Sequence, residues 1–224
     1  VAVVNIDHKG SLVNKKMLFL RGFGIFQVAR LALVALTYKF ADLVDGLFSY
    51  KLGFCRSLQS VAVMSGAAYK SVKNPNSKEF LKWLKDENVE LIVSFSAPCI
   101  FGKDLLESPT FGCINLHCSL LPKFAGLLPS FWVLFVGEKT IGATVHMMDT
   151  KIDNGEILGQ VEIEMPTPLT MFSVINATKA AGGILMVSTV ENIVEGEVNM
   201  TANTIPTNGY YSWPTVDQIK SFRH

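Results

Sequence analysis

The residues best suited to chemistry stand in one passage, Cys113-Ile114-Asn115-Leu116-His117-Cys118-Ser119-Leu120-Leu121-Pro122. Side chains alternate along a strand, so Asn115 and His117, two positions apart, are expected to point to the same side. An amide can hydrogen-bond a developing oxyanion while a neighbouring imidazole handles a proton. This pair therefore suits acyl transfer.

A third polar group is needed to orient the imidazole or to relay protons, and Asp153 is the candidate. It lies in the loop Met148-Asp149-Thr150-Lys151-Ile152-Asp153-Asn154-Gly155-Glu156-Ile157-Leu158, whose flanking segments are largely apolar. Ordinary alternatives exist, because a lone histidine is often structural and an Asp before Asn-Gly is often a turn former. On spacing alone, both interpretations stay open.

The strands that would position these side chains alternate with helical segments, which predicts an α/β fold. Three short apolar runs are typical of buried strands: residues 1–7, 90–95 and 112–116. Helical segments between them favour right-handed crossovers and a largely parallel sheet. Ligands bind at the carboxyl end of such a sheet, which is where Asn115 and His117 stand.

The remaining pattern adds an antiparallel portion and several helices. Residues 140–148 and 156–164 predict two strands close enough in sequence to pair antiparallel. Helices are predicted at residues 57–65 with Gly66 as the C-terminal cap, after Asn76 as a cap with Glu79 three residues later, at residues 129–136, and at residues 170–194. We therefore expect a Rossmann-like, mostly parallel sheet flanked by helices. Residues 1–197 would form the catalytic domain and residues 198–224 a tail.

One stretch, from Met17 to Val44, is unusually apolar. Arg21, Arg30 and Lys39 interrupt it, so a membrane-spanning helix is not expected there. We interpret the stretch as a partly buried helix. An interfacial membrane contact or a homodimer surface is the alternative.

Composition limits the class of partner. The formal net charge is +1, with 20 Lys plus Arg against 19 Asp plus Glu, which argues against a dedicated nucleic-acid binder. The four cysteines are Cys55, Cys99, Cys113 and Cys118. They show no C-x-x-C spacing, and no metal site is expected. Nothing at the N-terminus reads as a cleavable signal, so a reduced, cytoplasmic protein is expected.

The motif N-x-H-x-S-L-L-P at residues 115–122, followed at Asp153 by D-x-G-x-I-L, resembles the folate-dependent formyltransferase family. That family includes glycinamide ribonucleotide, methionyl-tRNA and sugar N-formyltransferases. The resemblance runs from about residue 77 to the C-terminus. It implies 10-formyltetrahydrofolate as formyl donor, Asn115 as the oxyanion donor, His117 as the group assisting proton transfer, and Asp153 as the residue that tunes His117.

The resemblance also implies a folate pocket between two loops. The residues that would line it are Phe95, Ser96, Ala97, Pro98 and Ile100 in the first loop and Asp149, Thr150, Lys151 and Ile152 in the second. A flat pterin needs apolar walls with backbone donors and acceptors. Two other side chains are interpreted as structural: His146 as a strand residue, and Cys118 as a thiol on the side opposite His117.

The acceptor is less defined. Few residues follow Gly209, too few for the C-terminal domain with which methionyl-tRNA formyltransferases grip tRNA, so a small amine is favoured. The ending at residues 210–215 resembles that of compact formyltransferases related to those acting on amino-sugar nucleotides.

Two departures from the family pattern stand out. Ala125 occupies a position where relatives usually have a basic residue, and the strand and helix with which relatives begin are not found before Val1. Three alternatives stay open: methionyl-tRNA formyltransferase-like activity, hydrolysis of 10-formyltetrahydrofolate, and a non-catalytic remnant.

Overall fold

The computed structural model describes residues 1–7, 15–49, 52 and 57–222. For residues 15–24, 27 and 31 it describes the backbone alone. Cys55 lies outside the described residues. The chain divides into two units, one formed by Val1–Asn74 with Pro214–His224 and the other by Pro75–Trp213. The predicted division at residues 197 and 198 stays a prediction.

The elements follow one another as strands interrupted by helices. In chain order they are β1 (Ala2–Ile6), α1 (Lys15–Leu47), α2 (Leu58–Ser65), β2 (Ala68–Val72), α3 (Lys78–Asp86), β3 (Ile92–Phe95), α4 (Lys103–Leu106), β4 (Cys113–His117), β5 (Ala125–Gly126), α5 (Pro129–Phe135), β6 (Thr140–Met147), β7 (Ile157–Glu164), α6 (Met171–Glu195), β8 (Tyr210–Tyr211) and α7 (Val216–Phe222). The strands and helices that the sequence predicts are all present, including α4 as a short helical link before β4. The elements β2, β5, β8 and α7 are additional.

The first unit contains a parallel pair of strands, β1 and β2, and the helices α1, α2 and α7. Helix α2 ends at Gly66, whose φ of 69° is in the left-handed region, which confirms the predicted cap. Helix α1 confirms the helix predicted within residues 17–44. The expected partial burial is wrong for most described side chains, because Phe26 is 88% exposed and Phe40 is 68% exposed. A homodimer surface there stays a prediction.

The second unit is built on a four-stranded sheet with the order β3-β4-β6-β7. Strands β3 and β4 are parallel, whereas β6 pairs antiparallel with both β4 and β7. A separate short parallel pair joins β5 to β8. These pairings confirm the α/β class with an antiparallel portion near the C-terminal strands.

Helix α6 covers one face of this sheet. It begins at a capping box made by Thr170 and Ser173, and its presence confirms the helix predicted over residues 170–194. Its buried face joins a core of aliphatic side chains: Ile114, Leu116, Ala143, Val145, Met186 and Ile193. Gly182 permits this close approach, since a Cβ there would lie 2.7 Å from a methyl group of Leu116. The core leaves the opposite face of β4, with Asn115 and His117, to the site.

By length and apolar composition, α6 is the one helix among the described residues that could cross a membrane. A core helix of a water-soluble domain meets the same two criteria, and Met186 and Ile193 of α6 are buried against the sheet. The finding is therefore weak evidence for a spanning segment.

The prediction that Asn76 caps the third helix is wrong. Ser77 is the N-cap of α3, and its hydroxyl accepts a hydrogen bond from the Phe80 N–H at 3.3 Å. The Asn76 amide instead donates to the carbonyl of Ile100 at 2.9 Å and accepts from the Gly102 N–H at 2.7 Å. These long-range partners, which local sequence does not reveal, fix the loop that follows β3.

Candidate active site

Three strands place polar side chains in one row on the sheet face that α6 does not cover. Asn115 of β4 stands opposite Ser94 of β3 in the parallel register and opposite His146 of β6 in the antiparallel register. Its amide Nδ2 lies 3.3 Å from His146 Nε2. The hydroxyl of Ser94 is buried and has no hydrogen-bond partner among the described residues. The row ends beside His117, two positions further along β4.

The His117 ring is held at both nitrogens. Nε2 lies 2.9 Å from the carbonyl oxygen of Phe124, and a carbonyl can only accept, so Nε2 carries the hydrogen. Nδ1 lies 3.4 Å from Oδ2 of Asp153. The neutral ring therefore directs its lone pair at the Asp153 carboxylate. The side chain is 6% exposed, so this arrangement is shielded from water.

Asp153 is held from several directions. Its Oδ2 accepts a hydrogen bond from the Gly126 N–H at 2.7 Å, and its Oδ1 lies 3.6 Å from His146 Nε2. Its backbone has φ of 49°, in the left-handed region that non-glycine residues seldom adopt. The sequence-predicted trio is thus brought together, with Asn115 linked to Asp153 through His146.

The surroundings of His117 and Asp153 favour the neutral form of the imidazole and the ionised form of the carboxyl group. Burial lowers the pKa of His117, an effect that the Asp153 charge and the bond to Phe124 only partly offset. Burial alone would raise the pKa of Asp153, but the contact with His146, the charge of His117 and the Gly126 N–H together lower it. At neutral pH, a neutral imidazole therefore faces an ionised carboxylate.

His146 is a member of the site that sequence reasoning missed. It lies in β6, as predicted for a strand residue, yet its ring contacts both Asn115 and Asp153. Its Nδ1 donates to the carbonyl of Met147 at 2.7 Å, which leaves Nε2 toward the other two residues. The available signal was a histidine flanked by Val145 and Met147 in a strand, but its contacts with Asn115 and Asp153 follow only from the register of β6 against β4.

The turn-forming role considered for Asp153 belongs to Asp149. Its two carboxylate oxygens accept from the Lys151 N–H and from the Asn154 amide, each at 2.7 Å. This Asx-type turn shapes the loop. Asp153 instead faces the two histidines.

The residues predicted to line a folate pocket lie in two segments near this edge of the sheet: the end of β3 with the loop after it, and the loop between β6 and β7. In the first, Phe95, Ser96, Pro98 and Ile100 are exposed and Ala97 is half-buried. In the second, Asp149 is half-buried, and Thr150, Lys151 and Ile152 are exposed. Their contact with a folate stays a prediction.

The cysteines near the motif are not placed for nucleophilic chemistry. Burial raises the pKa of Cys113 to about 12 and also raises that of Cys118, beside which lie Thr178 and Lys179 of α6. Cys118 therefore faces the helix, as strand alternation predicts, and a protonated thiol is a poor nucleophile. Among the described residues, no group of three or more His, Cys, Asp or Glu side chains could hold a metal ion.

The C-terminal strand β8 supports the donor to Asp153. Tyr211 pairs with Gly126 in the parallel register, and its carbonyl accepts from the Leu127 N–H at 2.8 Å. The Tyr211 ring packs 5.0 Å from Trp132 and 5.2 Å from Phe124, measured between ring centroids. Gly126 has φ of 101°, and a Cβ there would lie 2.3 Å from the Tyr211 carbonyl oxygen. Only glycine fits this position without displacing the strand.

Replacing Gly126 with alanine is therefore expected to reduce both stability and turnover. The clash and the backbone strain should lower the free energy of unfolding by about 1–3 kcal/mol, and displacement of β5 should weaken the hold on Asp153. Thermal unfolding and steady-state rates measure the two effects.

Gly137 is a matched control, because it also has a positive φ but has open space at its Cβ position. Gly137→Ala should lose about 1 kcal/mol with unchanged turnover. Equal rates for the two variants would contradict the role given to Gly126.

The amino-acid sequence matches a known family over more than half of its length. Residues 55–190 match the sequence model described as formyl transferase. A methionyl-tRNA formyltransferase of Clostridium botulinum (strain Alaska E43 / Type E3) is 35% identical over 130 residues, which make up 58% of this chain and 42% of that protein. The chain thus spans about two fifths of the length of this relative.

Solved structures share the fold. A sugar N-formyltransferase from Shewanella sp FDAARGOS_354 superposes with a TM-score of 0.56 at 23% identity, covering 70% of this chain and 60% of that one. The formyltransferase PseJ from Anoxybacillus kamchatkensis, in complex with UDP-4,6-dideoxy-4-formamido-L-AltNAc and tetrahydrofolate, gives 0.55 at 24% identity, covering 69% and 79%. At these identities the likeness establishes the fold, which confirms the Rossmann-like class.

Proposed function

The chain belongs to the formyl transferase family, and from this premise we propose that it transfers a formyl group from 10-formyltetrahydrofolate to the primary amine of a small acceptor, such as a nucleotide-linked amino sugar. The observation that carries the proposal is the 3.4 Å approach of His117 Nδ1 to Asp153 Oδ2, with Asn115 on the same strand. The roles of the three residues follow from their contacts.

His117 and Asp153 form the proton-accepting part of the site. In the neutral tautomer, Nδ1 of His117 and the ionised carboxylate of Asp153 are both acceptors, with no proton between them. A proton released from the attacking amine, directly or through one water, is stabilised there by both groups. The formyl carbon gains a bond to the amine nitrogen and loses its bond to the donor nitrogen, which takes up the proton. No covalent bond to the protein is needed.

Asn115 is placed to stabilise the charge that develops on the formyl oxygen. It is half-buried, so its side chain reaches the open face of the sheet while His117 stays covered. One amide hydrogen is directed at His146, and the second is left for an oxygen of the substrate. A donor in such a position typically contributes a factor of ~10² to 10³ to the rate.

The formyl donor supplies the activated one-carbon unit, and two loops offer surfaces that fit its pterin. Phe95 is 59% exposed, Ile100 is 62% exposed and Ile152 is 47% exposed, so all three side chains are accessible to a ligand. They would form apolar walls, and neighbouring backbone groups would supply the hydrogen bonds to the ring edge.

Three observations bear on the acceptor. PseJ was crystallised with a formylated UDP-sugar and tetrahydrofolate, which supports a nucleotide-linked amine. The net charge of +1 supports a small acceptor over tRNA, whose phosphates require a strongly basic surface. The 35% identity to a methionyl-tRNA formyltransferase favours tRNA as the second candidate.

The proposal includes a reduced, cytoplasmic setting. Cys99, Cys113 and Cys118 are unpaired, and burial raises the pKa of all three thiols. Such thiols persist where disulfide formation is not favoured.

An assay with a panel of acceptors tests the proposal. The protein is incubated with 10-formyltetrahydrofolate alone, with nucleotide-linked amino sugars, and with methionyl-tRNA, and tetrahydrofolate formation is followed with identification of the formylated product. We expect turnover that depends on an amino sugar. Formylation of methionyl-tRNA alone would transfer the assignment to the second candidate, and formate release without any amine would identify a hydrolase. Absence of turnover with all three would contradict catalysis.

A further inference from the structure

Asn203 lies outside the motif, yet it contacts the backbone that carries the catalytic carboxylate. Its Nδ2 donates to the carbonyl of Asp153 at 2.8 Å and to the carbonyl of Gly155 at 3.1 Å. Both partners are acceptors only, so the orientation of the amide is fixed by its surroundings. One side chain thus spans the turn that contains Asp153.

We propose that Asn203 is a positioning residue that holds Asp153 in its catalytic orientation, an inference that rests on the proposed function. Asp153 has φ of 49°, a conformation that persists when surrounding contacts determine it. The Gly126 N–H holds its carboxylate, and the Asn203 amide holds its main chain. The direction in which the carboxylate points depends on both.

The segment around Asn203 is anchored independently of Asp153. Thr201 and Ile157 exchange two backbone hydrogen bonds of 2.9 Å each, in an antiparallel bridge. On the other side, Ile205 packs against the buried side chains of Leu121, Ala125 and Ile157. Asn203 is therefore presented from a fixed support.

The side chain of Asn203 also carries an unfavourable feature. Its Oδ1 is buried and has no hydrogen-bond partner within the described part of the chain. A buried acceptor without a partner destabilises the folded state, and an apolar residue would avoid that cost. The amide nevertheless makes two hydrogen bonds to the turn that contains Asp153. Its role is therefore to hold the backbone of that turn in place.

The displacement expected from losing these bonds has two measurable consequences. A misplaced catalytic group can lower the rate up to ~10²-fold, so Asn203→Ala should lower kcat by ~10- to 10²-fold with little change in KM for the formyl donor. In addition, His117 is faced by two titratable groups, Asp153, which raises its pKa, and His146, which lowers it. Moving the carboxylate away should therefore lower the pKa of His117 further.

The test compares three variants by kinetics, thermal unfolding and a histidine NMR titration. Asn203→Asp keeps the size of the side chain but replaces the donor with a carboxylate facing two carbonyls, so its kcat should fall as in Asn203→Ala. Its added negative charge itself raises the pKa of His117, so the titration compares Asn203→Ala with the unaltered protein. Ile193→Val removes one methylene from the core beneath α6 and serves as a control for stability loss without contact with the turn. We expect it to retain the kcat of the unaltered protein and its His117 pKa.

Unaltered kcat and an unmoved His117 pKa in Asn203→Ala would overturn the inference, as would equal losses of kcat in Ile193→Val. The titration separates this inference from the proposed function. If the unaltered protein forms no formylated product, the proposed function fails. A lowered His117 pKa in Asn203→Ala would still show that Asn203 positions Asp153.

Discussion

Replacing His117 with alanine is expected to lower the rate of formyl transfer by a factor of ~10² to 10⁴, the usual loss for a general acid or base. In the proposed mechanism the imidazole is the partner with which Asp153 shares the transferred proton, and His117 Nδ1 lies 3.4 Å from Asp153 Oδ2. The loss should appear in kcat, because the ring is covered and contributes little contact area to bound substrate.

Steady-state kinetics measures this effect, with circular dichroism to establish that the variant is folded. Cys118→Ala is the matched control, since the thiol is next along the chain but lies beside Thr178 of α6. Its rate should stay within a few-fold of the unaltered protein. A rate for His117→Ala close to that of the control would remove the proposed mechanism.

Replacing Asp153 with asparagine is expected to lower turnover by a factor of ~10² or more and to lower the pKa of His117. Asparagine has nearly the same shape and tolerates a positive φ, so the turn should survive. The carboxylate charge is what raises the pKa of His117 against the larger effect of burial. Without it, the imidazole remains neutral to lower pH.

The direction in which the pKa of His117 shifts is the decisive measurement. In the unaltered protein, protonation of His117 creates an ion pair with Asp153, whereas in Asp153→Asn it creates an uncompensated buried charge. The NMR titration of His117 should therefore shift toward acid in the variant. An unchanged or raised pKa would mean that the two side chains are not coupled as their distance implies.

Part of the site could be predicted because local pattern specifies it. Asn115 and His117 share a side because strand residues alternate, and the strand itself follows from the apolar run around them. Asp153 follows from the family motif, since nothing in its immediate neighbours distinguishes it from Asp149. The structure separates these two aspartates by their partners: backbone and amide donors of its own turn for Asp149, and two histidines for Asp153.

The supporting residues could not be predicted, because each depends on pairing between distant segments. His146 reaches Asn115 only through the antiparallel register of β6 against β4. Gly126 needs the parallel pairing with β8, and Asn203 needs the bridge at Thr201. None of these registers is encoded by a short motif.

The fold shows the same division between local and long-range information. The capping boxes and the left-handed glycine define helices α2 and α6 from neighbours in sequence. Strand β2, Ala68–Val72, is half polar and was not predicted, because its partner β1 is far away in the chain. The exposed apolar side chains of α1 likewise contradict the burial that their composition favours.

The supports of Asp153 come from far along the chain, Gly126 from 27 residues before it and Asn203 from 50 residues after it. During synthesis the chain emerges from its N-terminus, and a domain generally folds as a unit. The four strands of the central sheet are all translated by residue 164, well before residue 203 exists. The core of this sheet also needs Met186 and Ile193 of α6. Neither the packed core nor the hold on Asp153 is therefore complete until synthesis has reached the C-terminal part of the chain.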